Sequence, residues 1–541
     1  MDIAQLPRSR YIWGAFFILA LLALFINLGI VSLQNEEPRR AIVALEMYLT
    51  GEYFVPKIND FQYFNKPPVF NWVIIFFARI FGTMDEWLIR LPTVLSLIAI
   101  TTINFFVVRK KVNFAVAVHS SLIFLTTTNI LFYFSVQGEI DMFYSLIVYV
   151  QIICLLHYFE KERYFELFIF SYILTGIGVL TKGIPSLAFQ SLTILVLFLY
   201  HRRFRALFSI WNFVGIAMMI AIIGGYFYRY SLETDPLPMI TRLITESSKR
   251  TVAEQSFLSS VLNLYRFPLL LFTMMLPWSL LPFATRIKSA WSVAWQVLWF
   301  RYCVLFLAVN VVIYWLSPGT HDRYLYMFVP FIGVVITVLF TNGAGRLFSW
   351  AILLLEVILF LGAFAIPVFS VELSFMHNMA VAIFVFLLSG TFIYLHFKYQ
   401  HYRLFQLACY LLLVRVAFDF LILPTRVYEN DSNEPVAKRL AQYDLKGFID
   451  APEVLTVFNP IVRQDVDIVL VDHPPYQFSY YYSREAQKVL RHVEREEEDG
   501  VYLSDVQQFA NGQQRTVLDT IDLVGTRTEY ILYEFKKDKE E

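Results

Sequence analysis

The sequence predicts a polytopic α-helical membrane protein with a small C-terminal α/β domain, and three observations carry that expectation. Apolar residues fill 57% of the 541 positions and charged residues only 16%, far from the balance of a soluble domain. Thirteen separate runs are long and apolar enough to be read as membrane spans. The segment 427–541 changes character, with alternating apolar residues in VLTVF, DIVLV and TEYILYEF and a charged run EREEEDG, which predicts strands with a few helices.

A span needs about 20 mostly apolar residues. The candidates lie near 11–33, 88–108, 114–134, 142–158, 167–181, 185–200, 207–227, 267–285, 300–317, 324–341, 347–370, 379–397 and 404–424. The first run is too long for a signal peptide and no small-residue cleavage site follows it, so an uncleaved anchor is expected. Short basic loops stay on the cytoplasmic side. Arg8 and Arg10, Arg109 to Lys111, Lys161 and Arg163, Arg202, Arg203 and Arg205, Arg286 and Lys288, Arg346, and Lys398 and Arg403 fall on alternate sides of consecutive spans. These loops put the N-terminus in the cytoplasm. Loops 34–87 and 228–266 and the tail after Arg426 are then external, giving a membrane domain over 1–426 and an extracytoplasmic domain over 427–541. The stretch VFNWVIIFFARIFG, Val69 to Gly82, is too short to span and is expected to lie along the outer interface.

Forty-four basic residues cancel forty-four acidic ones, so no global field calls for nucleic acid as a partner. Cys154, Cys303 and Cys409 sit inside apolar runs without paired spacing, which suggests neither a disulfide framework nor a zinc site. Charge placement says more. On this topology six polar clusters face outward: Glu36 and Glu37 with Arg39 and Arg40; Tyr63 to Pro68; Glu139 with Asp141; Thr181-Lys182-Gly183; Glu246 with Lys249 and Arg250; and His321 with Asp322 and Arg323. Any single cluster is explained as loop charge. Together they suit a reaction on a lipid-linked phosphate, with cations neutralising the phosphate and a carboxylate taking the proton of an incoming hydroxyl. Lys182, in a short turn between two apolar runs, is held where it can meet a lipid phosphate.

The residues also resemble a known family. The ordered motifs EEPRRAIVALEMYLTGEYFVPKIND, YFNKPP, WLIRLP, EIDM, LTKG, LPW and RYLYMFVP resemble those of the GT-C membrane glycosyltransferases that use polyprenyl-phosphate sugars, the protein O-mannosyltransferases and lipid A aminoarabinose transferases. The likeness covers about 1–425. It implies that Glu36, at the first acid of the family's pair, is the catalytic base, supported by Glu37, with Asp141 as the second external acid. It also implies that Arg39, Lys66 and Lys182 lie near the donor phosphate, and Arg250 is expected to join them. Tyr63, Glu246, His321 and Arg323 are expected to line the substrate pocket. Two departures stand out: Glu36 replaces the usual aspartate, and Asn65 replaces the usual acid before the lysine.

The expected activity is therefore transfer of a single sugar from a polyprenyl phosphate to a lipid, glycan or protein at the outer face of the bacterial cytoplasmic membrane. A GT-C oligosaccharide polymerase or ligase is the nearest alternative. A transporter is less favoured, because only Glu356 and the pair Arg415 and Asp419 lie deep in spans and no internal repeat is visible. Residues 36, 37 and 141 with His321 are the candidate ligands for a divalent metal ion, but their spacing is unlike a metal signature. Carboxylates paired with Arg39 and Arg250 are the simpler expectation.

Overall fold

The computed structural model describes residues 5–248, 257–317, 319–343, 357, 375–424, 432–449, 453–459, 464–470, 475–506, 508–509, 514–524, 526 and 529–537. Six helices among them are long and apolar enough to cross a membrane: Glu86–Lys111, Ile140–Glu160, Tyr164–Lys182, Ile210–Ser231, Leu298–Trp315 and Gln400–Leu421. Phe114–Thr126 with Thr128–Val136, bent by 47°, passes the same test only when the two are taken together as one broken span. The candidates at 11–33, 185–200, 267–285 and 324–341 coincide with the shorter apolar helices Arg10–Phe25, Pro185–Tyr200, Val261–Met274 and Val329–Gly343, and that at 379–397 with Phe375–Lys398. The candidate at 347–370, apart from residue 357, lies outside the described residues, as does Glu356. Large apolar side chains such as Phe17, Ile18, Phe106, Ile220 and Leu387 stand exposed on the bundle, a surface suited to lipid rather than water.

Several expected boundaries are corrected. The first helix stops at Phe25 because Asn27 adopts a left-handed backbone, φ 54°, which asparagine tolerates better than most residues. The expected span 114–134 is broken at Thr127. There the Thr126 and Thr127 hydroxyls bond back to the carbonyls of Leu122 and Ile123, and the Thr128 amide donates across to Leu276 O at 3.0 Å; back-bonding of this kind bends helices. The eighth span begins ten residues early, at Phe257, carries Pro268 inside it and ends at Met274.

The bundle has two distinct ends. A 21-residue helix is about 32 Å long, and Ile140–Glu160 carries Asp141 at one end and Glu160 at the other. Glu160 pairs with Lys111, and the Gln5 amide donates to His401 O at 2.9 Å. Arg8, Asn113 and Tyr402 line one depression, so these basic segments gather at the Glu160 end. Leu423 instead shares a recess with Asn27, Glu37 and Arg90 at the Asp141 end. Between Gln5 and Leu423 the chain therefore crosses the bundle an odd number of times. Val69–Phe81 does not cross. It buries Phe70, Asn71, Ile74, Ile75 and Ala78 and ends at Gly82, φ 70°, and Glu86 beyond it pairs with Arg484 of the tail at 2.9 Å.

The tail forms a five-stranded mixed sheet. His492–Val493 and Gly500–Asp505 flank Leu445–Ile449 in parallel, and Tyr530–Phe535 runs antiparallel between Gly500–Asp505 and Arg515–Ile521. Glu453–Asn459 and Gln464–Leu470 pair as a separate antiparallel hairpin. One face of this sheet closes a small core of its own, Ile449, Tyr502, Tyr533 and Phe535, and the other joins the membrane part. Leu33, Ala41, Ile42, Leu45, Phe70, Ile74, Leu88 and Ile89 from the first 90 residues share one apolar cluster with Phe478, Tyr480, Tyr481, Tyr482, Leu503 and Leu532.

The first loop is built around the helix Glu37–Thr50. Pro38 opens it, where the missing N–H costs nothing, and Gly51, φ 77°, closes it. Glu37 is buried and its carboxylate is fully engaged. Arg90 donates to it through Nε at 2.8 Å and Nη2 at 3.0 Å, the Gln34 amide at 2.9 Å and the Gly138 amide at 2.5 Å. Gly138 has no room for a side chain, since a Cβ there would lie 2.8 Å from Ile89 O. Arg90 also donates to Leu28 O at 2.8 Å. Further along, the buried Glu46 accepts the amides of Asn59 and Asp60 and so fixes the small hairpin Lys57–Ile58, Phe61–Gln62.

Two predictions follow from these carboxylates. Arg90→Leu leaves Glu37 buried without its cation, at a cost of about 3–5 kcal/mol, and should sharply lower the melting temperature of the purified protein. Arg90→Lys should lose less, since it keeps the charge but not the fork. Burial pushes the Glu46 carboxyl up to about 8 from 4.5, against the two amide bonds that favour its ionised form. The folded chain therefore holds a proton that the unfolded chain releases, so this stabilisation is complete below about pH 4.5 and is lost as pH rises through 8. Melting temperatures between pH 5 and 9 should decline more steeply for the wild type than for Glu46→Gln.

Candidate functional site

At the Asp141 end, six segments enclose a cavity of about 250 Å³ lined by Glu36, Arg39, Arg40, Asn65, Lys66, Glu139, Ile140, Asp141, Lys182, Arg242, Glu246, Arg323 and Tyr324. Each polar group arrives at an element's end or in a loop. Asn35, φ 55°, turns the chain so that Glu36 precedes the helix Glu37–Thr50. Asn65 and Lys66 follow the small hairpin. Glu139 and Asp141 open the helix Ile140–Glu160, and Gly183, φ 97°, stops its neighbour directly after Lys182. Leu237–Ser248 brings Arg242 and Glu246, and the short turn Asp322–Leu325 brings Arg323 and Tyr324.

Ion pairs order the cavity. Glu36 meets Arg39 at 3.1 Å and Arg40 at 3.7 Å, and its side chain keeps 33% of its surface open. Asp141 and Lys182 form a second pair whose side chains are 5% and 7% exposed. Arg323 binds Glu139 at 2.8 Å, and Arg242 binds Glu246 at 3.1 Å while donating to Asn65 Oδ1 at 2.9 Å. Burial, and then the adjacent Asp141 carboxylate, push the Glu139 carboxyl above its ordinary range despite Arg323. Six cationic side chains face four carboxyl groups, an excess of at least two positive charges that suits a phosphate. A wider neighbouring cavity of about 700 Å³ is lined by Asn129, Tyr133, Phe134, His321 and Asp322 and shares Glu36, Glu139 and Arg323 with the first.

Comparison with known proteins gives partial sequence matches and a broad fold match. The family described as dolichyl-phosphate-mannose-protein mannosyltransferase matches residues 65–227. Undecaprenyl phosphate-alpha-4-amino-4-deoxy-L-arabinose arabinosyl transferase 1 of Proteus mirabilis (strain HI4320) is 28% identical over 218 residues, 38% of each chain. The corresponding transferase of Photorhabdus laumondii is 26% identical over 36% of this chain and 35% of its own length. These matches span little more than a third of the curated relatives. In fold the likeness extends over nearly the whole chain: ArnT from Cupriavidus metallidurans, crystallised bound to undecaprenyl phosphate, superposes with a TM-score of 0.68 over 97% of this chain and 98% of its own, at 17% identity. The chain is thus similar over part of its length to polyprenyl-phosphate sugar transferases, and over nearly all of it shares the fold of ArnT.

Among the residues expected from that resemblance, Glu36, Arg39, Lys66, Asp141, Lys182, Glu246 and Arg323 converge in the cavity. His321 lines the adjoining one. Glu37 does not reach either: Arg90 and two amides hold it behind the wall. Tyr63 is likewise behind, its hydroxyl accepting from Arg40 Nη1 at 2.8 Å. Arg250 lies outside the described residues. Among the described residues no three His, Cys, Asp or Glu side chains group as metal ligands; Glu36 and Asp141 each face a cation instead. Arg242 went unrecognised because ITRLITESS carries no motif, although its helical i, i+4 spacing from Glu246 was a usable sign.

Lys182→Met strands the enclosed Asp141 and should destabilise the protein by about 3–5 kcal/mol. Adding Asp141→Asn should recover most of that loss, a coupling that melting temperatures of the two single variants and the double variant would measure.

Proposed function

We propose that the chain transfers a single sugar, pentose or hexose, from a polyprenyl-phosphate donor to a hydroxyl of a lipid, glycan or protein at the outer face of the bacterial cytoplasmic membrane. The observation that carries this reading is the positively charged cavity at one end of an apolar bundle, assembled from the polar loops of a fold shared with a protein crystallised with undecaprenyl phosphate. The outer-face assignment rests on the opposite end of the bundle, where Arg8, Lys111 and Arg203 gather; cationic loops are retained in the cytoplasm.

The chemistry follows from the charges. The acceptor oxygen attacks the anomeric carbon, the bond from that carbon to the phosphate oxygen breaks, and the polyprenyl phosphate leaves with the electron pair. Arg39, Arg40, Lys66, Lys182, Arg242 and Arg323 stabilise the charge growing on the departing phosphate. A phosphate needs no proton to leave, so one carboxylate suffices, taking the proton from the acceptor. Glu36 suits that task better than Asp141, because it retains open surface beside both cavities while Asp141 is enclosed under Lys182. The wider cavity, with Tyr133 and Phe134, is where we have the acceptor enter. An acceptor attacking through an ionised phosphate would need no base, and Glu36 would then orient it.

Glu36→Gln should abolish transfer, by 10²-fold or more on the usual scale of about 10²–10⁴ for a positioned base, with folding and insertion unchanged. Full activity in that variant would remove Glu36 from the mechanism. Mass spectrometry of lipid A, surface glycans and secreted proteins from cells with and without the gene tests the reading itself, the expected result being the loss of one sugar from one of these classes.

A further inference from the structure

We propose that Tyr476, in the tail, is a positioning residue for the donor-phosphate cation Arg39; this rests on the function proposed above. Four cavity cations lie over aromatic rings: Arg39 over Tyr476 at 5.0 Å, Arg40 over Tyr63 at 5.9 Å, Lys182 over Tyr324 at 4.2 Å, and Arg323 over Tyr324 at 5.8 Å. A ring face attracts a cation through its quadrupole and carries no net charge. It therefore orients the cation without cancelling the positive excess that a phosphate needs. Three of these contacts use rings from the membrane part of the chain. Tyr476 alone reaches in from the tail.

The ring bears on where Arg39 points. Arg39 stands in the first turn of the helix Glu37–Thr50, where the helix dipole disfavours a cation, and Glu36 draws it from one side at 3.1 Å. The Tyr476 ring is firmly placed. Tyr476 begins the helix Tyr476–Ala486, which is tied to the segment before Glu36 by Gln477 Nε2 donating to Leu33 O at 2.7 Å and by the Leu33 amide donating to the Tyr481 hydroxyl at 2.9 Å. Farther along, Arg484 pairs with Glu86 at 2.9 Å and the Tyr480 hydroxyl donates to Met84 O. None of these hydrogen bonds and ion pairs uses the Tyr476 ring, which packs at the edge of the shared apolar layer; a leucine there keeps apolar packing while it removes the ring face from Arg39.

The test is titration of the full-length, detergent-solubilised protein with undecaprenyl phosphate. Tyr476→Leu should raise Kd by about 3- to 30-fold, the range of a cation–π contact, with an unchanged melting temperature. Tyr476→Phe should bind like the wild type, since it keeps the ring. In an Arg39→Met background, Tyr476→Leu should weaken binding no further. Wild-type affinity in Tyr476→Leu, equal weakening in Tyr476→Phe, a melting temperature that falls along with affinity, or additive losses in the double variant would each overturn the inference while leaving the proposed function standing. A wild-type protein that does not bind undecaprenyl phosphate would instead overturn that function, and this inference with it.

Discussion

One buried carboxylate fixes the relation between the parts of the site. Glu37 accepts hydrogen bonds from its own turn at Gln34, from Arg90 on a membrane helix and from Gly138 just before Glu139. It therefore sets the distance between the segment carrying Glu36 and Arg39 and the segment carrying Glu139 and Asp141. A neutral residue there would leave the Arg90 guanidinium buried without its counter-charge, and such groups are costly. The frame thus turns on a charge that takes no direct part in the proposed reaction and holds in register those that do.

The bundle uses charge in two ways. Arg415 and Asp419, one helical turn apart and almost wholly enclosed, bind at 2.9 Å, and Arg415 also donates to Leu131 O and to Ser135 Oγ at 3.2 Å. That pair braces the bent helix by supplying donors to the segment beyond the break at Thr127. Asn129 in the same segment donates to Asp322 at 2.7 Å, next to Arg323. In the cavity, by contrast, cations outnumber carboxylates and rest on aromatic faces. Closed neutral pairs serve the frame, and an open positive excess serves the ligand.

Much of the site was legible in the sequence because its residues mark the ends of elements. Asn35, Pro38, Gly138 and Gly183 flag turns and helix boundaries, and the charges beside them had to lie at the bundle's rim. Convergence of Glu36, Lys66, Asp141 and Lys182 followed from counting which loops share a side. What escaped was decided by contacts distant in sequence. Nothing local distinguishes Glu36 from Glu37; Arg90, 53 positions away from Glu37, makes one structural and leaves the other in the cavity. The break at Thr127 depends on Leu276, and the strand pattern of the tail, although correctly read, says nothing of the surface it packs against.

That last contact has a consequence for biosynthesis. Leu33 and the helix Glu37–Thr50 leave the ribosome more than 400 residues before the helix Tyr476–Ala486 that completes their apolar layer. Until the tail is made, the loop that would grip the lipid has neither its cover nor the ring facing Arg39. Assembly of the pocket is therefore a late event, and a chain cut short during translation would sit in the bilayer with its membrane helices largely in place and its charged rim unfinished.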